Sequence, residues 1–320
     1  MRIIGLQRRR AVTFQAALGE RVVLGHGFEI ERSSGFRLRG FHVGGAGGVS
    51  TVIASRRITI TRADLTGAGI VMRGVRATTI SDSRIHDLAR PPGAESFAGY
   101  GIWANGYVDG GSSDGLDGLV VRRNVFRHIP QDAIQVGGGP TRVSHVTIDH
   151  NEFGFVRRVV EADHPDPIQI LGGRHIVVRS NYFHDSEDAI IVSDDTTTGL
   201  RFENNLLVGW PGGCIQAQFW NTPGARIVGN TIWRSQCVGL RLASDRAYGA
   251  PPRGIVVRRN IVDSYAGGEP AWVAGQDANI IVEGPLRGPR DTRSQPALSA
   301  ALRPVGQAVQ LHAGSSVHVR

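Results

Sequence analysis

The segment at residues 157–173, RRVVEADHPDPIQILGG, holds the densest group of reactive side chains in the 320-residue chain. Its His164 stands two residues before Asp166, and prolines on both sides of Asp166 restrict the backbone. A neutral imidazole can accept a proton, and a guanidinium group binds a carboxylate through paired hydrogen bonds. The segment therefore predicts proton abstraction beside an anionic group, with His164 as base, Arg157 or Arg158 as clamp and Asp166 orienting the imidazole.

Three aspartates recur at one sequence position, two residues before an isoleucine: Asp132, Asp166 and Asp188. Two carboxylates that flank a glycosidic bond are the catalytic pair of most glycoside hydrolases. An aspartate that caps a turn would recur in the same way, and His164 would then be a loop histidine bound to Asp163 or Asp166. Both interpretations stay open at this point.

A repeated strand pattern must position these residues. Its central apolar residues are Leu38, Ile60, Ile80, Val121, Ile148, Val178, Phe202, Ile227, Val257 and Ile281. Intervals of 20 to 41 residues between them indicate stacked coils. Six coils share an asparagine three residues later, which we expect to take a left-handed backbone conformation and to form an internal ladder: Asn124, Asn151, Asn181, Asn205, Asn230 and Asn260. The pattern predicts an all-β, right-handed parallel β-helix of about ten coils over residues 1–286, with 287–320 as a C-terminal cap or tail.

Two residues beyond each asparagine position, a second column of apolar residues is expected to point inward: Leu65, Ile85, Phe126, Phe153, Phe183, Leu207, Ile232 and Val262. A further strand in each coil alternates with period two, which directs its isoleucines inward and the next residue outward. The predicted outward column consists of Val71, Trp103, Gln135, Gln169, Ile191, Gln216 and Arg241. Because paired strands lie about 4.8 Å apart, this column forms a continuous stripe suited to an extended sugar chain. The predicted substrate-binding residues are Trp103, Gln135, Gln169, Gln216 and Arg241.

Two insertions interrupt the repeat at the same corner of the coil. The loops at residues 88–100 and 154–165 are expected to rise on either side of the coil that carries Gln135 and to form the walls of a cleft. A Gly-, Ser- and Asp-rich excursion at residues 105–118 is typical of an edge loop or an ion-binding turn. Long loops beside a polar stripe favour a functional role.

The amino-acid composition limits the classes of molecule that the chain is expected to bind. All 36 basic residues are arginine, the net charge is +8, and the absence of lysine removes one candidate base. The excess charge favours a polyanion, and the lack of a zinc-finger spacing or a basic helix favours acidic polysaccharide over nucleic acid. No apolar run is long enough for a membrane span, and no secretory signal is recognised. The two cysteines, Cys214 and Cys237, match neither a disulfide framework nor a usual metal site.

The coil pattern with its asparagine ladder resembles the pectate-lyase-like superfamily of right-handed parallel β-helices over residues 20–285. HPDPIQILGG and PQDAIQVGGG are similar to H-x-D-x-I-Q stretches of bacterial β-helix repeat proteins. The resemblance implies a monomeric, extracellular or cell-surface protein among polysaccharide lyases, uronate epimerases, glycoside hydrolases and phage tailspikes. Members often use calcium held by carboxylates, which makes Asp194 and Asp195 candidate calcium ligands; a polar turn is the alternative.

These observations lead to one main expectation and two alternatives. The main expectation is a polysaccharide lyase acting by β-elimination on a uronate-containing polymer, with catalytic residues His164, Asp166, Arg157, Arg158 and Asp188. The first alternative is a glycoside hydrolase that uses two of the three recurring aspartates. The second is a non-catalytic carbohydrate-binding protein, which needs the outward column but neither His164 nor Asp166.

Overall fold

The computed structural model describes residues 1–44, 49–90, 99–106, 115–137, 142–159, 163–192, 196–209, 214–233, 239–243, 253–262, 265–267, 273–277 and 280–281. Every helix or strand assigned within these ranges is a β-strand. No helix in this part of the chain has the length and apolar character needed to cross a membrane. The expected tail at 287–320 lies outside the described residues, so the domain boundary stays a prediction.

The strands form three parallel sheets, and each coil contributes in turn to all three. The first sheet contains β1 (Arg2–Ile4), β4 (Glu29–Glu31), β7 (Ser50–Ile53), β10 (Ile70–Arg73), β13 (Ile102–Asn105), β16 (Ile134–Gly137), β19 (Ile168–Leu171), β22 (Ile190–Val192), β26 (Ala217–Trp220), β29 (Leu240–Ala243) and β32 (Tyr265–Gly267).

The second sheet contains β2 (Gln7–Gln15), β5 (Ser34–Arg39), β8 (Arg56–Thr61), β11 (Arg76–Ser81), β14 (Leu116–Arg122), β17 (Val143–Asp149), β20 (Gly173–Arg179), β24 (Arg201–Glu203), β27 (Arg226–Val228), β30 (Ile255–Arg258) and β33 (Val273–Asp277), with β23 (Thr197–Thr198) also paired to β20. The third sheet contains β3 (Val22–Leu24), β6 (Phe41–Val43), β9 (Asp64–Gly67), β12 (Arg84–Leu88), β15 (Val125–Ile129), β18 (Glu152–Val156), β21 (Tyr182–His184), β25 (Leu206–Val208), β28 (Thr231–Trp233), β31 (Ile261–Val262) and β34 (Ile280–Ile281).

The second sheet confirms the predicted repeat from its second to its tenth strand, since the central residues from Leu38 to Val257 pair in unbroken register. The assignment of Ile281 to this column is wrong. Val257 pairs with Gln276, and Ile281 pairs with Val262 in the third sheet. A short apolar run does not reveal which of three sheets a strand joins, so local pattern alone misplaced the last coil.

The asparagine ladder is confirmed. Each of the first five asparagines donates a hydrogen bond from its backbone N–H to the side-chain oxygen of the next asparagine, at 2.9 to 3.0 Å. Each amide nitrogen also donates to a main-chain oxygen of the preceding coil, as Asn124 Nδ2 does to Ile80 O at 3.1 Å. The ladder thus satisfies buried main-chain groups at a corner where no strand can pair them.

The expected left-handed conformation occurs one residue earlier than predicted. Positive φ values belong to the residue before each asparagine, for example 55° at Arg123 and 54° at His150. That residue makes the turn and projects outward. The asparagine itself stays in an ordinary conformation, and its side chain therefore points into the ladder.

Inside the third sheet, the predicted inward column is in register from Leu65 to Val262. The rings of Phe126, Phe153 and Phe183 stack with centroids 4.9 Å apart, close to the spacing of paired strands. Cys214 forms a disulfide bond, which the two cysteines of the chain had not predicted.

Candidate functional site

The outward column of the first sheet carries the polar residues expected there. Val71, Trp103, Gln135, Gln169 and Ile191 pair in register on adjacent strands β10, β13, β16, β19 and β22. Gly101 allows the close packing at the start of β13, since a Cβ there would lie 2.4 Å from the oxygen of Ala133. The coils thus stack tightly at the corner that leads into this column.

The placement of Gln216 in the column is wrong, and Gln218 takes that position. Gln218 pairs with Ile191 on one side and with Arg241 on the other, because Ala217 rather than Ile215 pairs with Ile190. A shift of two residues leaves the inward and outward alternation unchanged, so period two could not detect it. Gln216 lies before β26, where its side chain hydrogen-bonds the carboxylate of Asp188.

Side chains of the outward column form a hydrogen-bonded row. Trp103 Nε1 donates to Gln135 Oε1 at 2.6 Å. Gln135 Nε2 in turn donates to Gln169 Oε1 and to Asp132 Oδ2, the latter at 2.9 Å. Both glutamines are less than a tenth exposed although they lie on the outer face of the sheet. The row therefore fixes the amide orientations and links the outer face to the aspartates behind it.

Cation–π contacts lie near both ends of this face. The guanidinium carbon of Arg73 lies 5.1 Å from the Trp103 ring centroid, and that of Arg241 lies 5.3 Å from the Trp220 ring centroid. Trp220 is in β26, four strands along the sheet from β13. Trp103 and Arg241 were predicted from the sequence, whereas Trp220, two residues beyond Gln218 on the same strand, was missed.

Asp132, Asp166 and Asp188 come together in three consecutive coils, and we call them the buried aspartate group. Asp132 is 2% exposed and Asp166 is completely buried, while Asp188 is partly accessible. Asp132 Oδ1 accepts a hydrogen bond from the backbone N–H of Asp166 at 2.9 Å. Neither carboxylate oxygen of Asp166 meets a hydrogen-bond donor in the described part of the chain. An ionised carboxylate in such a position is costly.

Burial raises the pKa of all three aspartates. For Asp132 the loss of water is the largest cause, and the charge of Asp166 raises the pKa further. Burial also dominates at Asp166, where the charge of Asp188 adds to it. Burial raises the pKa of Asp188 to about 7, against a hydrogen bond from Gln216 that lowers it. Near neutral pH the group therefore holds protons that ordinary aspartates have lost.

His164 lies at the rim of this group. Its Nδ1 is 3.8 Å from Asp166 Oδ2, an ion-pair distance that is too long for a hydrogen bond, and its side chain is 70% exposed. The Asp166 carboxylate raises the pKa of His164 to about 9 despite partial burial. At neutral pH the ring is therefore mostly an imidazolium, which cannot accept a proton.

The two predicted clamp arginines already hold other partners. Arg157 Nε donates to the main-chain oxygen of Asp185 at 2.8 Å, and its guanidinium carbon is 5.4 Å from the Phe155 ring centroid. Arg158 Nε donates to Glu187 Oε2 at 2.7 Å. Arg157 therefore contacts residues near the carboxyl ends of strands β18 and β21 of the third sheet. The positive charge of Arg158 instead lowers the pKa of Asp188. The catalytic roles assigned from sequence stay predictions.

The two inserted loops meet above the coil of Gln135. Arg90 binds Asp163 through Nε at 2.7 Å and through a second nitrogen at 2.8 Å. The loops are in contact at this point, and because residues 91–98 and 160–162 lie outside the described residues, the cleft stays a prediction. Tyr100, which sequence reasoning missed, hydrogen-bonds Gln135, and burial followed by the charge of Asp132 raises the pKa of Tyr100 to about 12.

The predicted calcium ligands Asp194 and Asp195 lie outside the described residues, as does most of the excursion at 105–118. Among the residues that are described, no group of three or more histidine, cysteine, aspartate or glutamate side chains could hold a metal ion. Calcium therefore stays a prediction tied to residues 194 and 195.

Solved structures with the same fold share little sequence with this chain. The surface adhesin PfbA of Streptococcus pneumoniae is 11% identical, with a TM-score of 0.54 over 79% of this chain and 77% of the adhesin. The catalytic unit of a GH87 α-1,3-glucanase from Streptomyces thermodiastaticus is 15% identical, with a TM-score of 0.56 over 82% of this chain and 51% of the glucanase. Tailspike protein 3 of bacteriophage CBA120 is 11% identical, with a TM-score of 0.51 over 92% of this chain and 54% of the tailspike. This chain thus spans about half of the glucanase and tailspike chains, and at these identities the likeness concerns the fold.

No curated protein matches the sequence. A family model described as "Right handed beta helix region" matches residues 68–283, which is more than half of the chain and includes the buried aspartate group. The chain therefore belongs to the right-handed β-helix family.

Proposed function

We propose that this protein acts on carbohydrate and hydrolyses glycosidic bonds at the buried aspartate group. The observation that carries the proposal is the raised pKa of three aspartates in consecutive coils, next to the outward row of Trp103, Gln135 and Gln169. A carboxyl group that keeps its proton near neutral pH can protonate a leaving sugar oxygen.

Asp188 is the proposed general acid. It is the partly accessible member of the group, and its pKa of about 7 provides a protonated fraction at neutral pH. Gln216 orients its carboxyl group, and Arg158 holds the neighbouring Glu187. Asp132, which accepts hydrogen bonds from Gln135 and from the Asp166 backbone, is better placed to support the site than to donate a proton.

The stereochemistry of the product would show which aspartate acts as the second carboxylate beside Asp188. Adjacent coils lie about 4.8 Å apart, so Asp166 with Asp188 is near the carboxylate separation of roughly 5 Å in retaining enzymes. Asp132 and Asp188 are two coils apart, roughly 9 to 10 Å, at the upper end of the separation in inverting enzymes. Retention of the anomeric configuration would assign Asp166 and inversion would assign Asp132, and either role requires a movement that exposes a carboxylate now at most 2% exposed.

The related structures support a carbohydrate role by analogy only. One neighbour is an α-1,3-glucanase and another is a phage tailspike. A fold hosts many activities, so the choice of hydrolysis rests on the aspartates and not on these neighbours. An extracellular location is also proposed, because one neighbour is a surface adhesin and because the disulfide of Cys214 persists in an oxidising compartment.

The lyase expected from sequence is the second candidate, and its pH dependence separates it from hydrolysis. The base His164 has a pKa of about 9, so β-elimination by this residue would need alkaline solution. Hydrolysis needs Asp188 protonated and a second carboxylate ionised, so activity should fall in alkaline solution above the Asp188 pKa of about 7 and should fall again in acid, where the second carboxylate is protonated. The two mechanisms therefore predict opposite pH limbs.

The deciding experiment incubates the protein with uronate-containing and neutral polysaccharides across a pH series, with and without a chelator. New reducing ends without ultraviolet absorbance, strongest near neutral pH and lost in alkaline solution, would support the hydrolase. Absorbance from an unsaturated uronide that grows in alkaline solution would instead establish the lyase. Loss of activity on chelation would support calcium, and binding without either signal would show a carbohydrate-binding protein.

A further inference from the structure

A recess lies far along the solenoid from the buried aspartate group, at the corner between the first and second sheets in the N-terminal coils. Its volume is about 350 Å³, and its lining consists of Gln7, Arg32, Ser33, Ala54, Ser55, Arg56, Gly74 and Arg76. Three of these eight residues are arginines and none is acidic. The recess is therefore a concentrated positive site on a chain with net charge +8.

Small residues at one repeated turn create this space. Arg32, Ala54 and Gly74 occupy the same corner in three successive coils, with φ values of 46°, 46° and 56°. The left-handed turn directs side chains outward, and Ala54 and Gly74 have almost none to fill the corner. Behind them the floor is closed by Ser33 and Ser55, whose hydroxyl groups bind main-chain oxygens of the first sheet.

The flanking arginines are aligned by strand register. Arg56 pairs with Arg76 on the adjacent strand, and both side chains are exposed. Paired strands lie about 4.8 Å apart, so two guanidinium groups follow one another along the solenoid axis. A chain molecule that carries anionic groups at intervals can contact both at once.

Glu31 and Asp117 offset part of the positive charge of the recess. Arg32 forms an ion pair with Glu31 at 2.8 Å, and the charge of Arg76 helps to lower the pKa of Asp117, after hydrogen bonds from Ser144 and His145. Arg56 forms no ion pair with any residue in the described ranges. Guanidinium groups hold carboxylates through two parallel hydrogen bonds, a geometry that a point charge cannot supply.

We infer that the recess lined by Arg32, Arg56 and Arg76 binds a carboxylate-bearing sugar of an acidic polysaccharide, as a site separate from the buried aspartate group. The volume falls within the range of small-ligand pockets and accommodates one ring with its carboxylate. Duplex nucleic acid is disfavoured, because its phosphates contact broad surfaces whereas this recess is a local hollow. The inference does not depend on hydrolysis, since binding here requires none of the three aspartates.

Calorimetric titration with an oligogalacturonate of defined length tests the inference, with a neutral maltooligosaccharide of equal length as the reference probe. We expect binding of the acidic probe only, weakened about tenfold in Arg56→Ala. Ala54→Asn keeps all three arginines, places a side chain that tolerates positive φ in the hollow, and should weaken binding to a similar degree. Arg37→Ala, an exposed arginine of β5 outside the lining, should change affinity by less than about twofold.

Three results would overturn the inference. Equal losses in Arg37→Ala and Arg56→Ala would assign binding to general surface charge. Full affinity in Ala54→Asn would place the ligand outside the recess. A short DNA duplex that loses affinity in Arg56→Ala, while the oligogalacturonate does not, would assign the recess to nucleic acid. Dextran sulfate, tested in parallel, distinguishes a sulfate from a carboxylate as the recognised group. The readout is affinity and requires no turnover, so failure of the hydrolase proposal leaves this result readable.

Discussion

Aspartates in two groups on different faces of the solenoid have pKa values shifted in opposite directions. On the third sheet, five residues alternate in an imidazole–carboxylate row: His42, Asp64, His86, Asp87 and His128. Successive contacts in this row measure 3.0, 2.7, 2.6 and 2.7 Å. The buried aspartate group has the same residue types, with His164 at 3.8 Å from Asp166.

Exposure and hydrogen bonding explain the difference. Burial would raise the pKa of Asp64, but hydrogen bonds from His86 and His42 outweigh it and lower the value. A hydrogen bond from His86 is the largest cause that lowers the pKa of Asp87. Asp166 is fully buried with no hydrogen bond to its oxygens among the described residues, and its pKa rises. The pKa of an aspartate in this fold is therefore set by its burial and its hydrogen-bond donors rather than by residue type alone.

The largest expected effect is a loss of hydrolytic activity when the buried aspartate group is mutated but not when the imidazole–carboxylate row is mutated. Asp188→Asn removes the proposed proton donor and should lower kcat for glycosidic hydrolysis by at least about 100-fold. Asp87→Asn, in the imidazole–carboxylate row, is the matched control and should retain nearly full turnover. Initial rates of reducing-end formation measure both. Full turnover in Asp188→Asn would remove the proposed role of this residue.

The next largest effect is on the free energy of unfolding, which should change in opposite directions when an aspartate of each group is replaced by asparagine. A carboxyl group whose folded pKa is raised costs stability once the pH exceeds its unfolded value near 4. Asp166→Asn should therefore raise the free energy of unfolding by about 1 to 3 kcal/mol at pH 8 and change it little at pH 4. Asp64→Asn should instead lower it at pH 8, because the folded pKa of Asp64 is depressed. Urea unfolding at both pH values checks the signs, and the same sign in both variants would contradict the comparison.

A smaller effect is expected from the centre of the imidazole–carboxylate row. His86→Ala removes contacts to two carboxylates and should destabilise the fold by up to about 1 kcal/mol at neutral pH. The pKa values of Asp64 and Asp87 should rise toward those of ordinary aspartates, as followed by NMR titration. Hydrolytic activity should not change, and a large loss would mean that the row contributes to catalysis.

The smallest effect concerns His164. The charge of His164 lowers the pKa of Asp166 and of Asp188, so His164→Gln should move the alkaline limb of the pH–rate profile upward by up to about one pH unit. Hydrolysis at neutral pH should persist. Complete loss of turnover at all pH values would instead favour the lyase mechanism, in which His164 is the base.

Sequence alone determined the coil architecture and much of the site's outer face. The asparagine ladder, the inward phenylalanine stack and the outward neighbours Trp103, Gln135 and Gln169 follow from two periods, that of the coil and that of the strand. Both periods recur along the chain, so each coil supports the assignment of the next.

Tertiary structure decided what these periods cannot specify. Gln218 replaced Gln216 because a slip of two residues keeps the same faces, and Ile281 joined another sheet because apolar runs look alike. The raised pKa of Asp166 depends on its burial by coils distant in sequence, and the raised pKa of His164 depends on the Asp166 carboxylate beside it. Chemistry at this site is therefore set by burial and partner distance, which residue identity and spacing do not encode locally.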